Sequence, residues 1–152
     1  MRYWLMKSEP DVFSIDQLER VGRSGWDGVR NYQARNFMRD DMSIGDLVFF
    51  YHSNATPPGI AGIAEVSRES YPDPSQFDPK SEYHDGKATK DKPIWFMVEV
   101  KFVEKFKNLI SLDTLRSKSK ELDGFRLLAK GSRLSVIPVD PKHWKIIQKL
   151  NS

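Results

Sequence analysis

The side chains that could do chemistry in this sequence are few. His52, His84 and His143 are its three histidines and it has no cysteine. The histidines share no recognisable ligand spacing, and disulfides and thiolate metal sites are excluded outright. Ser8, Ser53 and Ser135 lie in no nucleophile elbow of the G-x-S-x-G kind. Asp40 and Asp41 are adjacent carboxylates of the sort that decorate solvated helix ends, and the glycines form neither a phosphate loop nor a dinucleotide fingerprint. We therefore expect no catalysis, no metal and no cofactor. What is left is an aromatic and polar set. Trp26 sits in a glycine-flanked loop and is followed by Arg30, Asn31 and Tyr32, while His52, Ser53 and Asn54 close a hydrophobic run. Stacking faces beside forked donors suit a flat ligand with hydrogen-bonding edges. The pattern alone leaves Trp26 and Tyr32 open between a site and the core; Trp4 and Trp144 read as core.

The elements that must position these residues can be read from periodicity. Tyr3 to Met6 reads as a buried strand, and Ser14 with Gln17 has capping-box spacing for a short helix that carries Ile15, Leu18 and Val21 inward. Gly22 and Gly25 are expected to end it. Asn31 can cap a second helix, with Ala34, Phe37 and Met38 on one face and Arg35 and Arg39 on another. Residues 47–53, 60–66 and 94–103 are apolar on both alternating faces, which implies strands covered on two sides or closed into a barrel. In the first case residues 52–54 would turn at a barrel mouth. The polar stretch 67–93 is long enough to be functional or mobile. Further helices are expected from Ser111 and over 122–129, a last strand over 134–139, and a closing helix begun by Asp140 and Pro141 with Trp144, Ile147 and Leu150 inward. The predicted fold is α+β: a barrel-like sheet flanked by short helices, within one domain spanning 1–152.

Charge suggests the partner. The formal net charge is only +3, but residues 1–76 carry eight basic and eleven acidic side chains whereas residues 77–152 carry sixteen and ten. That asymmetry implies a basic face, with arginine dominating the first half and lysine the second. The apolar start of the chain is interrupted at Lys7 and Glu9, so neither a signal peptide nor a membrane span is expected, and a cytoplasmic protein is.

Several runs together resemble the EVE domain of the PUA-like superfamily: WLMKSEP at 4–10, WDGVRNYQARN at 26–36, Gly45-Asp46, FYHSN at 50–54, GIAG at 59–62, Tyr71-Pro72-Asp73, Phe77-Asp78-Pro79 and RLSV at 133–136. They cover nearly the whole chain in order. The resemblance implies a PUA-like β-barrel and a non-enzymatic reader of a modified base, with modified cytosine in DNA favoured. It points to Trp26 and Tyr32 as pocket aromatics and to Ser53 and Asn54 as polar contacts, with Asn31 and His52 adjoining them. Lys7, Ser8, Arg30, Arg35 and Arg133 are expected at the rim, near phosphates. Modified or single-stranded RNA is the alternative ligand, and a nucleic-acid-processing enzyme or a small-molecule binder the alternative of another class.

Overall fold

A strand apolar on both faces has to be covered twice, and this one is. The computed structural model describes residues 1–151. Its strands are β1 (Tyr3–Ser8), β2 (Arg23–Gly25), β3 (Leu47–His52), β4 (Gly59–Pro72), β5 (Phe96–Ser111) and β6 (Val136–Val139), and its α-helices are α1 (Ile15–Val21), α2 (Tyr32–Asn36), α3 (Leu112–Ser117) and α4 (Pro141–Lys149). The strands form one six-stranded sheet in the order β2-β5-β4-β3-β1-β6. All pairings are antiparallel except β1 with β3, where Trp4 lies opposite Val48 and Met6 opposite Phe50.

Side chains alternate between two cores. Trp4, Met6, Val48, Phe50, Ala64, Val66, Val98, Val100 and Val136 face one side, covered by Ile15 and Leu18 of α1, Ala34 of α2 and Met38. Leu5, Phe49, Ile63, Ile110 and Ile137 face the other, covered by Leu115, Leu122, Phe125, Trp144 and Ile147. Trp144 lies flat on Phe49, ring centres 3.7 Å apart. Buried Asp46 ties the β1 start to the turn before β3: its carboxylate accepts from the Trp4 indole, the Ser43 amide and the Arg2 amide, each at 3.0 Å.

The sheet is not closed into a barrel, contrary to expectation. Closure would require β2 to pair with β6, yet they span three and four residues and end the strand order. Trp26, which follows β2, packs edge-on to Phe50 at 5.3 Å. Other departures are local. Val21 is exposed, because the strand that follows Gly22 turns the end of α1 outward. Gly25 lies inside that strand. Beyond α2 the helix loosens into a π-helical turn, Phe37–Asp41. Residues 122–129 form turns and a single 3-10 turn, Arg126–Leu128, since Gly124 takes a left-handed φ of 89°.

Part of the polar stretch is regular structure: β4 runs on to Pro72, and Pro74–Phe77 forms a 3-10 turn. The remainder is pinned by Gln76, fully buried, whose amide donates to Asp73 O and Trp95 O and accepts from the Ile94 and Trp95 amides at 2.7–3.0 Å. Those four bonds use both ends of one side chain.

Candidate functional site

A cleft of about 630 Å³ opens where the two ends of the strand order approach each other, within the roughly 300–1,000 Å³ range of small-ligand sites. It is lined by Ser24, Gly25, Trp26 and Asp27 at the end of β2, by Lys7 and Ser8 at the end of β1, by Arg133 and Ser135 ahead of β6, and by Ser53, Glu82 and Tyr83. The strand ends are cross-tied. The Lys7 amide donates to Ser135 O at 2.8 Å and the Ser53 amide to Ser8 O at 3.0 Å, while the Ser8 hydroxyl donates to Phe13 O at 2.7 Å. Trp26 belongs to core and cleft at once. It is only 7% exposed, and its amide extends the β2–β5 ladder by donating to Val98 O at 2.8 Å.

The loop that carries Trp26 is clamped from the other side by the once-polar stretch. Arg30 spends every donor it has: Nε and Nη2 bond Tyr83 O, Nη1 bonds Val29 O and Asp73 Oδ2, and Nη2 bonds Ser75 Oγ, all at 2.7–3.1 Å. Its guanidinium lies 5.2 Å from the Trp95 ring. Asp73 Oδ2 also accepts from the Gly28 amide at 2.8 Å. Gly28 has φ 79°, and a Cβ there would meet the Tyr83 ring at 2.8 Å. The positive φ favours glycine at this point, and a side chain here would have to push the Tyr83 ring aside.

Electrostatics in the cleft are mixed rather than simply basic. Burial pushes the Lys7 ammonium down from its ordinary value. Burial, then the nearby charge of Asp73, pushes the Asp27 carboxyl up. Asp73 itself is held down: burial would raise it, but the hydrogen bonds from Ser75, Gly28 and Arg30 outweigh that.

Of the residues singled out in the sequence, Trp26, Ser53, Lys7, Ser8 and Arg133 line this cleft. The others lie elsewhere. Tyr32 is 60% exposed and stacks on Trp95, ring centres 4.9 Å apart, with the Arg35 guanidinium 4.8 Å from its ring. The Asn31 side chain caps α2 through the Ala34 amide, and Arg35 bonds Ile94 O and Asn36. Arg30 is consumed by the clamp. His52 accepts from the Ile15 amide through Nε2 at 3.1 Å, completing the start of α1. Asn54, exposed with φ 49°, reaches the rim only by donating to Glu9, at 3.2 Å. Sequence reasoning passed over Asp27, Ser24 and Tyr83. Asp27 carried a signal, adjoining both Trp26 and a turn glycine; Tyr83, brought in from a distant segment, carried none. No group of three or more His, Asp or Glu among the described residues is placed to hold a metal ion, and no helix among them is long and apolar enough to cross a membrane.

A family model described as EVE domain matches residues 2–150. Thymocyte nuclear protein 1 of Rattus norvegicus is 41% identical over 165 residues, covering 97% of this chain and 73% of that protein. A crystal structure of a Pseudomonas putida protein superposes with a TM-score of 0.95 at 54% identity, covering 99% of each chain. The human THYN1 protein, solved in complex with DNA containing 5-methylcytosine, superposes with a TM-score of 0.94 at 38% identity over 100% of this chain and 98% of that one.

Proposed function

The chain belongs to the EVE domain family, and from that premise we propose that it is a non-enzymatic DNA-binding protein that holds one modified cytosine in the cleft beside Trp26. The observation that carries this reading is an indole set in the wall of a cleft of about 630 Å³, with cations and serines around it, on the fold that in the human relative engages 5-methylcytosine DNA.

The energetics set what such a site has to do. A base within a duplex must be extruded at a cost of a few kcal/mol, least in a single strand. Stacking on Trp26 offsets about 1–3 kcal/mol of that. Lys7 and Arg133, which line the cleft with Trp26, are the groups to neutralise the flanking phosphates, and that part of the binding falls as salt rises. Burying one added methyl is worth about 0.8 kcal/mol, close to fourfold in affinity. Sharper discrimination needs polar contacts to the base edge, for which Ser53 and its neighbours in the cleft are candidates.

Fluorescence anisotropy at fixed salt, with strands of one sequence carrying cytosine or 5-methylcytosine as DNA and as RNA, tests the reading. The methylated DNA strand is expected to bind several-fold more tightly than its unmethylated counterpart. Trp26→Phe, which keeps a ring against Phe50, is expected to weaken it. Equal affinity for both DNA strands, preference for the RNA, or chemical change of the strand by the purified protein would overturn the assignment.

A further inference from the structure

Three carboxylates border the cleft. Glu9 accepts from the Asn54 side-chain amide at 3.2 Å, and Glu82 belongs to the distant segment that carries Tyr83 rather than to the wall that carries Trp26. The third, Asp27, follows Trp26 directly in the chain and lines the same wall. Asp27 is exposed, and its carboxylate has no ion pair and no side-chain hydrogen bond among the described residues; the charges of Asp73 and Arg30 act on it from nearby. Nearby Arg30 gives its donors to Asp73, Ser75, Val29 and Tyr83. An acceptor that no protein group uses, next to the surface on which a base would stack, is placed for the edge of that base.

We propose that Asp27 selects the base: its carboxylate accepts a hydrogen bond from an exocyclic amino group, so the cleft takes amino-bearing bases of the cytosine type and rejects keto bases of the thymine type. This rests on reading the cleft as a base pocket. Aspartate and glutamate accept from the cytosine amino group where bases are read directly. A keto oxygen in the same place would set two acceptors against each other, and a site built around a donor on its ligand discriminates strongly against an analogue without it. The carboxylate is also kept at a cost. Burial and the charge of Asp73 both disfavour its ionised form, so a neutral residue of the same shape should fold at least as well.

Thymine and 5-methylcytosine share the ring skeleton and methyl group and differ at one edge, in the 4-amino or 4-keto group and in the proton that thymine carries on N3, so they probe the contact at that edge. Single strands are used, because a mismatched thymine leaves a duplex more easily and would blur the comparison. With the native protein the 5-methylcytosine strand should bind at least about fivefold more tightly than the thymine strand. In Asp27→Asn, whose amide can turn to offer either a donor or an acceptor, the ratio should fall below about twofold. The urea midpoint of the variant should be no lower than that of the native protein. If neither strand binds the native protein better than an unmodified cytosine strand, the base-pocket reading fails. If both bind tightly, respond to Trp26→Phe and do not differ, or if Asp27→Asn keeps the ratio or loses the fold, Asp27 is not the selector.

Discussion

Asp73→Asn changes one buried atom and tests whether the clamp on the Trp26 loop is what holds the cleft in shape. Asp73 is 1% exposed and accepts four hydrogen bonds: Oδ2 from the Gly28 amide and Arg30 Nη1, Oδ1 from the Ser75 amide and hydroxyl, at 2.6–3.1 Å. In asparagine one of those oxygens becomes an NH2 group that cannot accept. The cheaper orientation points it at Ser75, whose hydroxyl can rotate to accept while the Ser75 amide loses its partner. That orphaned amide costs about 1–3 kcal/mol, and weakening the Arg30 bond from charged to neutral costs about 1 kcal/mol more. The expected loss is therefore about 2–4 kcal/mol, large against a total of roughly 5–15 kcal/mol. Urea unfolding followed by tryptophan fluorescence should show a lower midpoint with unchanged slope. Acidity provides the control. The Asp73 carboxyl is held below its ordinary value of 3.8, so its contribution is intact above about pH 4 and is lost as the pH falls through the lower value of the folded protein. The gap between native protein and variant should then close in acid. A difference below about 1 kcal/mol near neutral pH, or a gap that widens in acid, would refute the argument.

The imidazole of His52 offers a second pH signature. Burial lowers its pKa from the ordinary 6.5, and the neutral ring accepts from the Ile15 amide. Its contribution is complete above that value and declines as the pH falls from 6.5 towards the lower folded value. A melting-temperature profile across this range should slope for the native protein and flatten for His52→Gln, whose side-chain oxygen can accept without titrating. Gly28→Ala should cost about 1–3 kcal/mol from its positive φ alone, with more from the Tyr83 ring, whereas Gly86→Ala, with open space around it, should cost nothing measurable by the same urea assay.

Local features were legible. Ser14, Asn31, Ser111 and Asp140 each cap the helix their spacing announced, and the two-sided apolar strands do separate two cores. The features that escaped depend on partners far along the chain. Strand β2 is three residues of mixed character that exist as a strand because β5 pairs with them, with Arg23 opposite Lys101. Arg30 looked like a free cation since all its acceptors except Val29 O lie 43–53 residues away. Tyr32 follows Trp26 by less than two helical turns of chain, yet the α2 cap at Asn31 rotates it onto Trp95, away from the cleft. Whether a sheet with two-sided strands closes depends on the lengths of its terminal strands, which hydrophobic pattern does not encode. For the cleft itself, the WDG and RLSV runs both fall on segments that line it, whereas the Glu82–Tyr83 segment that joins them carried no signal.

The open seam between β2 and β6 gives the molecule a mechanical property that a closed barrel lacks. A barrel of hydrogen-bonded strands can widen only by breaking ladder bonds, each worth about 1 kcal/mol net. Here the circumference is interrupted, and the interruption is the cleft: Ser24 and Gly25 stand at one end of the sheet and Ser135 adjoins the other. The gap between them can change through small alterations in sheet twist and in the packing of Trp26 on Phe50, with every ladder bond kept. Across its width the cleft is thus held by side-chain contacts, the Arg30–Asp73 clamp and the packing of Trp26 among them, while its length along the strands is fixed by the backbone. An object lodged in the gap would bridge the two ends and act as the missing link of the ring, so occupancy and the rigidity of the whole sheet are coupled.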